Sequence, residues 1–161
     1  MAKIKGINHI CFAVKNLDEA IKSVQDNFEG ELMMRLGNTQ HKYEAASIQL
    51  GESIISFMQA TDEGSFVTKF IEERGEGVQH IGLDVDNLEE FVEHLENKGI
   101  KVDKSQMKDE DFPEALVSPK AGYGVVLQLM QWKGGSMDVS PEGKERLKKK
   151  YRELPGLKLI E

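Results

Sequence analysis

The chain has 161 residues, of which 39% are hydrophobic and 30% are charged, and its formal net charge is −7. This composition is typical of one folded globular domain and excludes an intrinsically disordered chain. The acidic excess argues against nucleic acid and anionic membrane partners, and the longest apolar runs are too short for a transmembrane helix or a signal peptide. The single cysteine, Cys11, rules out an internal disulfide, so we expect a cytoplasmic protein.

An internal repeat organises the elements along the chain. The sequence Gly-Ile-Asn-His-Ile at positions 6–10 recurs as Gly-Val-Gln-His-Ile at positions 77–81. The match continues from positions 14–19 to 85–90, where each copy places an asparagine before acidic residues, as at the start of a helix. Two copies of one structural unit are therefore predicted.

In each copy, apolar residues at helical spacing follow the first strand, and strand-like runs with alternating polarity follow the helix. The helices end at Gly30 and Gly99, which suit helix termini. We predict an α+β fold of two tandem βαβββ modules that form a cleft-shaped sheet, with a C-terminal helical extension. The predicted segments are a first module at 6–60, a linker helix at 61–76, a second module at 77–132 and the extension at 133–161, with an amphipathic helix at 141–154.

Alternation along the first strand of each copy separates two faces. Ile10, Phe12 and Val14 point to one face, and His9, Cys11 and Ala13 point to the other. His80 occupies the position equivalent to His9 in the second copy. A face that carries such residues is expected to line a wet cleft, where two imidazoles could converge on one metal ion. The alternative is that both histidines are structural and hydrogen-bonded.

Three features of the sequence resemble methylmalonyl-CoA epimerases of the vicinal oxygen chelate superfamily. They are the Gly-x-x-His-Ile segments, the continuous phrase at 69–81 (KFIEERGEGVQHI), and Ser-Pro-Lys at 118–120 leading to Val-Leu-Gln-Leu at 126–129. The resemblance covers residues 6–132. It implies a glyoxalase-like fold and a metal-assisted isomerase that acts on an acyl-CoA or a related small carboxylate.

The resemblance also implies a set of metal ligands. In the epimerases a divalent ion is held by a histidine on the first strand of each module and by a carboxylate, amide or histidine on each last strand. The matching positions are His9, Ser56, His80 and Gln128. A serine hydroxyl is a poor ligand and a neutral amide leaves the ion's charge uncompensated, so the site departs from the family pattern. Cobalt, nickel, zinc and manganese are the candidate ions, and Cys11 is a possible soft substitute ligand.

Epimerase chemistry further needs a base that removes the acidic hydrogen beside the thioester. The resemblance places a carboxylate after the first helix, where this chain has His41 and Glu44. The alternative for each of them is a solvated loop residue without a catalytic role. In relatives, a glutamate at the position of Gln128 also takes part in proton transfer. The candidate catalytic residues are therefore His41, Glu44 and Gln128.

Two other functions stay open at this point. A metal-free protein that binds a small molecule in the same cleft tolerates the loss of metal ligands, and a glyoxalase-type lyase shares the fold. Under each function a homodimer is expected, because closed two-fold pairs are the commonest homo-oligomers.

Overall fold

The computed structural model describes residues 1–133 and 139–160, which form four helices and nine strands. The predicted α+β class is confirmed. The helices are α1 (Leu17–Phe28), α2 (Phe66–Arg74), α3 (Leu88–Asn97) and α4 (Pro141–Glu153). The strands are β1 (Ile4–Ala13), β2 (Glu31–Asn38), β3 (Tyr43–Leu50), β4 (Ser53–Ala60), β5 (Gly77–Val85), β6 (Val102–Asp103), β7 (Glu114–Val117), β8 (Val126–Met130) and β9 (Leu157–Leu159).

The described residues fall into two compact units. The first unit contains residues 1–10 and 80–133, and its strands follow the order β6-β7-β8-β5-β1. β5 and β8 pair in parallel, whereas β7 is antiparallel to both β6 and β8. Helix α3 packs on one face of these strands through a buried apolar cluster. That cluster consists of Val85, Leu88, Val92, Ala115, Val117 and Leu129.

The second unit contains residues 11–79 and 139–160, and its strands follow the order β1-β4-β3-β2-β9. β2, β3 and β4 form antiparallel pairs along their lengths. Helix α1 packs on one face through Leu17, Ile21 and Val24, which contact apolar side chains of β3 and β4. The alternation predicted for β1 is present here, because Phe12 and Val14 pack against this cluster while Cys11 and Ala13 lie on the opposite face.

The prediction that Cys11 and Ala13 line a wet cleft is wrong. Cys11 is 2% exposed and Ala13 is fully buried, in a cluster with Met58 and Val67. Val67 lies on α2, so this helix covers the face of β1 that alternation alone marks as the more polar one. The apolar side chains of the segment at 61–76 thus form a second core for this unit.

Equivalent caps mark the repeat at the starts of α1 and α3. Asn16 and Asn87 each accept a hydrogen bond from the backbone N–H three residues later, both at 3.1 Å. A glutamine near the end of the last strand of each copy adds a second contact. Gln59 in β4 accepts from the Leu17 N–H at 2.6 Å, and Gln131 just after β8 accepts from the Leu88 N–H at 2.7 Å. These bonds satisfy helix donors that would otherwise lack partners.

At the C-terminal end, α4 agrees with the helix predicted at 141–154. Strand β9 follows it and pairs with β2, an element that the sequence pattern did not predict. Residues 134–138 and 161 of the predicted extension lie outside the described residues, and the boundaries proposed for the two modules stay predictions. No helix among the described residues combines the length and apolar character needed to cross a bilayer.

Candidate active site

In the first unit, the face of the strands opposite α3 carries polar side chains. Leu127 and Leu129 of β8 pack towards α3, so Gln128 between them points to the opposite face. By the strand register, Gln128 pairs with Gly82 of β5 and with Leu116 of β7. The same alternation places the side chains of His80 and Glu114 on this face.

His9 of β1 meets His80 on this face. Their Nε2 atoms are 3.0 Å apart, and the rings make an edge-to-face contact with centroids 5.1 Å apart. His9 is only 5% exposed. The convergence of these two imidazoles, which the repeat predicted, is therefore present in one compact unit.

A chain of hydrogen bonds orients the His9 ring. The Asn8 amide Nδ2 donates to the Asp84 carboxylate at 3.3 Å, which leaves Asn8 Oδ1 to face His9 Nδ1 at 2.8 Å. Because an amide oxygen can only accept, His9 must carry its proton on Nδ1 and present the Nε2 lone pair to His80. Asp84 therefore orients His9 through Asn8, and carboxylates near metal-binding histidines commonly fix the ring in this way.

Both imidazoles are held in the neutral form. Burial lowers the pKa of His9 from 6.5 to about 4. Burial, together with the repulsion of a charged His9, lowers the pKa of His80 to about 3. Neutral imidazoles have the lone pairs that metal binding requires, so this pair needs no deprotonation at neutral pH.

Gly82 provides the space for the His9 ring. A Cβ atom at this position would lie 2.6 Å from His9 Cε1 and Nδ1 and 2.9 Å from Met130 Sδ. Such distances are far below van der Waals contact, so any larger residue must displace the imidazole. Gly82 lies two residues after His80 on the same face of β5. Because it has no side chain, the His9 ring can lie directly against this strand beside His80.

Gln128 makes one close contact, with a residue that sequence reasoning missed. Its Nε2 donates to the Glu114 carboxylate at 2.7 Å. Burial raises the pKa of Glu114, and the hydrogen bond from Gln128 opposes that rise. Within the described residues, the buried Gln128 Oε1 has no hydrogen-bond partner. Alternation back from Ala115 and Val117 is the sequence signal that could have placed Glu114 on the polar face.

These side chains fit a divalent metal ion. Two imidazole nitrogens that each lie about 2.1 Å from one ion, at angles of about 90–109°, are about 3.0–3.4 Å apart, and the His9–His80 separation of 3.0 Å falls in this range. The unpaired Gln128 Oε1 is a further oxygen donor of the kind divalent ions accept. In residues 1–133 and 139–160, no group of three or more His, Cys, Asp and Glu side chains is placed to hold a metal. The amide of Gln128 stays the third ligand that the resemblance predicts.

Ser56 lies in the second unit, on β4 opposite Ser47 of β3. It is 6% exposed, and its hydroxyl is 3.1 Å from the Ser47 hydroxyl. Each hydroxyl can thus be satisfied by the other. The role of Ser56 as a ligand stays a prediction.

The two predicted bases, His41 and Glu44, also lie in the second unit. His41 is exposed in the turn between β2 and β3. Glu44 is half-buried and accepts from Arg35 Nη2 at 2.7 Å, and Arg35 also pairs with Asp18 at the start of α1. On β3, Glu44 shares its face with Ala46 and Ile48, which pack against α1, whereas Ser47 points to the other face. The catalytic roles of His41 and Glu44 stay predictions.

Cys11, considered above as a soft ligand, is buried beneath α2. Burial raises the pKa of its thiol, so the thiol stays protonated at neutral pH. A metal binds the thiolate, and this environment opposes thiolate formation. The packing role is the one that the structure supports.

The family model of the Glyoxalase/Bleomycin resistance protein/Dioxygenase superfamily matches residues 8–115, more than half of the chain. The chain belongs to this superfamily. The match includes both histidines and Glu114 but ends before Gln128. The family resemblance seen in the sequence is thereby confirmed.

Known members of the superfamily that resemble this chain include methylmalonyl-CoA epimerases. The mitochondrial enzyme of Mus musculus is 24% identical over 132 residues, which span 80% of this chain and 74% of the mouse protein. The crystal structure of the Mycobacterium tuberculosis epimerase shares 24% identity and covers 79% of this chain and 87% of that one, with a TM-score of 0.70.

A Streptomyces coelicolor methylmalonyl-CoA epimerase in complex with 2-nitronate-propionyl-CoA is also similar. It shares 22% identity and covers 82% of this chain and all of that one, with a TM-score of 0.69. At these identities the structural similarities establish the glyoxalase-like fold of this chain.

Proposed function

We propose that this protein is a metal-assisted epimerase that inverts the configuration of an acyl-CoA or a related small carboxylate beside its carbonyl group. The observation that carries the proposal is the convergence of His9 Nε2 and His80 Nε2 at 3.0 Å in neutral, buried form. The similarity to methylmalonyl-CoA epimerases, one of which was solved with an acyl-CoA analogue, supports the substrate class.

His9, His80 and Gln128 would hold the ion, which is cobalt, nickel, zinc or manganese. When bound, a divalent ion stabilises the negative charge that develops on the substrate oxygens as the hydrogen beside the thioester leaves as a proton. Two residues orient the Nε2 lone pair of His9. Asn8 holds the His9 proton on Nδ1, and Gly82 leaves room for the ring. Water would complete the coordination, including the position for which Ser56 is the sequence candidate.

Inversion requires a base that takes the proton from one face of the substrate carbon and an acid that returns a proton to the other. Gln128 has a neutral amide, which can position a group but does not accept a proton at neutral pH. We therefore keep His41 and Glu44 as the proposed proton-transfer residues, with Gln128 as a ligand.

A metal-free binding protein is the second candidate. It is favoured by the fact that His9 and His80 can satisfy each other through one hydrogen bond if His80 donates from Nε2. A glyoxalase-type lyase is a third possibility that shares the fold and the ion.

The test is proton exchange in deuterated buffer. The untagged protein, loaded with cobalt, is mixed with methylmalonyl-CoA, and mass spectrometry follows deuterium at the carbon beside the thioester. We expect exchange that chelation abolishes and that the His9→Ala/His80→Ala variant lacks. His94→Ala, at an exposed histidine of α3, is the matched control and should keep the exchange.

If the cobalt-bound protein shows no exchange, the proposed epimerase activity is overturned. The next assay is then for glyoxalase-type lyase activity. Binding of an acyl-CoA that survives chelation, without exchange, would favour the metal-free binding protein.

We also propose that the protein is a cytoplasmic homodimer. Ile7 of β1 is 64% exposed, which supports an apolar contact with a second copy. The lone, buried cysteine is compatible with a reducing compartment. Sedimentation equilibrium of wild type and Ile7→Lys should show a dimer that weakens in the variant.

A further inference from the structure

Glu114 is a buried carboxylate that the proposed chemistry has not yet used. It begins β7, where the antiparallel register sets Leu116 opposite Gln128 and Glu114 opposite Met130. Its carboxylate accepts from Gln128 Nε2 at 2.7 Å. A buried carboxyl group costs free energy unless it is hydrogen-bonded, and Gln128 is a hydrogen-bond partner of Glu114.

The hydrogen bond determines which way the Gln128 amide faces. Because the amide nitrogen faces Glu114, the amide oxygen points away from it. This oxygen is Gln128 Oε1, a buried acceptor without a partner in the described residues. Leaving such an atom unpaired costs free energy. A cation that accepts an oxygen ligand would remove that cost.

Glu114 also places an acidic side chain beside the ligand amide. Two neutral imidazoles and one neutral amide leave a divalent ion uncompensated, which weakens binding in a buried setting. Removal of a carboxylate that is hydrogen-bonded to a metal ligand typically reduces metal affinity about 10–100-fold. In this unit, Glu114 is one hydrogen bond away from the ligand amide.

We propose that Glu114 is a positioning residue for the metal ion: it directs Gln128 Oε1 towards the ion and compensates the ion's charge through the amide. This inference rests on the proposed metal site and adds a residue to it. The carboxylate of Glu114 on β7 and the amide of Gln128 on β8 are in contact. The carboxylate thus lies on β7, and the amide lies on β8, the last strand of the module. Exchanging the two side chains should therefore preserve the site.

The experiment is a cobalt titration of the full-length chain by calorimetry, with the absorption spectrum of the bound ion as a second readout. Three proteins are compared: wild type, Glu114→Gln and the exchange variant Glu114→Gln/Gln128→Glu. Glu114→Gln keeps the size and the hydrogen bond but removes the charge, so we expect cobalt affinity to fall about 10–100-fold. The exchange variant, which restores a carboxylate to the pair, should recover the affinity of wild type or exceed it.

Glu110→Gln, at an exposed position four residues earlier, is the matched control and should bind cobalt as wild type does. Thermal unfolding of each metal-free protein separates a loss of ligand positioning from a loss of folding. A merely structural role for Glu114 would lower the melting temperature of Glu114→Gln while leaving its cobalt affinity and the spectrum of the bound ion unchanged.

The outcomes also separate this inference from the proposed function. Unchanged affinity in Glu114→Gln, with tight binding by wild type, would overturn the role of Glu114 and leave the histidine site intact. Failure of wild type to bind cobalt would overturn both.

Discussion

Gly82 shows how one missing side chain makes room for a functional one. The His9 ring lies where a Cβ of residue 82 would be, at 2.6 Å. Gly82→Ala should therefore displace the imidazole, destabilise the protein by about 1–3 kcal/mol as overpacked cores do, and weaken cobalt binding. Urea unfolding and cobalt calorimetry measure the two effects.

Gly77→Ala is the matched control, because it lies on the same strand and a Cβ there meets no atom within 4 Å. Equal stability and metal affinity in the two variants would show that the His9 ring does not depend on the space at Gly82.

At this scale the sequence predicts the histidines well and the acidic residue poorly. His9 and His80 were predictable because the repeat places two identical residues at equivalent positions on the same face of a strand. Glu114 was missed because a lone glutamate at the start of a short strand is typically solvated. Only the register of β7 against β8 reveals that it contacts Gln128.

Among the elements, the two helix starts are the most local features and the most predictable. Asn16 and Asn87 cap α1 and α3 with the same bond length. Replacement of either by alanine should lower the free energy of unfolding by about 1 kcal/mol, since the helix loses one side-chain acceptor. Urea unfolding of Asn16→Ala and Asn87→Ala measures this loss.

Asn97→Ala, at the exposed last position of α3, provides the control and should have little effect. If the three variants lose equal stability, the loss comes from helix propensity or from the unfolded chain rather than from the caps.

Contacts between helices and strands were harder to predict from the sequence than the helices and strands themselves. The segment at 61–76 has helical character in the sequence, but nothing local shows that Val67 packs over Cys11 and Ala13. Strand β9 has three residues and depends on pairing with β2, so its own pattern is too short to predict it. Both misses concern contacts between segments distant in sequence.

At the scale of the whole molecule, burying two neutral histidines makes the metal-free protein sensitive to acid. The pKa of each imidazole is 6.5 when unfolded and is lowered on folding, to about 4 for His9 and about 3 for His80. Below pH 6.5 the unfolded chain therefore binds protons that the folded chain does not. The free energy of unfolding should fall between pH 6.5 and 5, by up to about 1.4 kcal/mol per site and pH unit.

Urea unfolding of chelator-treated protein across this window measures the slope. The His9→Gln/His80→Gln variant should lose most of it, whatever its stability at pH 7. A slope that is the same in both proteins would show that the acid sensitivity comes from other groups.

The central claim is that His9 and His80 hold a divalent ion, and cobalt titration of the untagged protein by calorimetry tests it most directly. We predict about one ion per chain in wild type and in His94→Ala, and none in His9→Ala/His80→Ala, because a structural site requires its imidazole ligands. Failure of wild type to bind, or equal binding by the double variant, would contradict the claim.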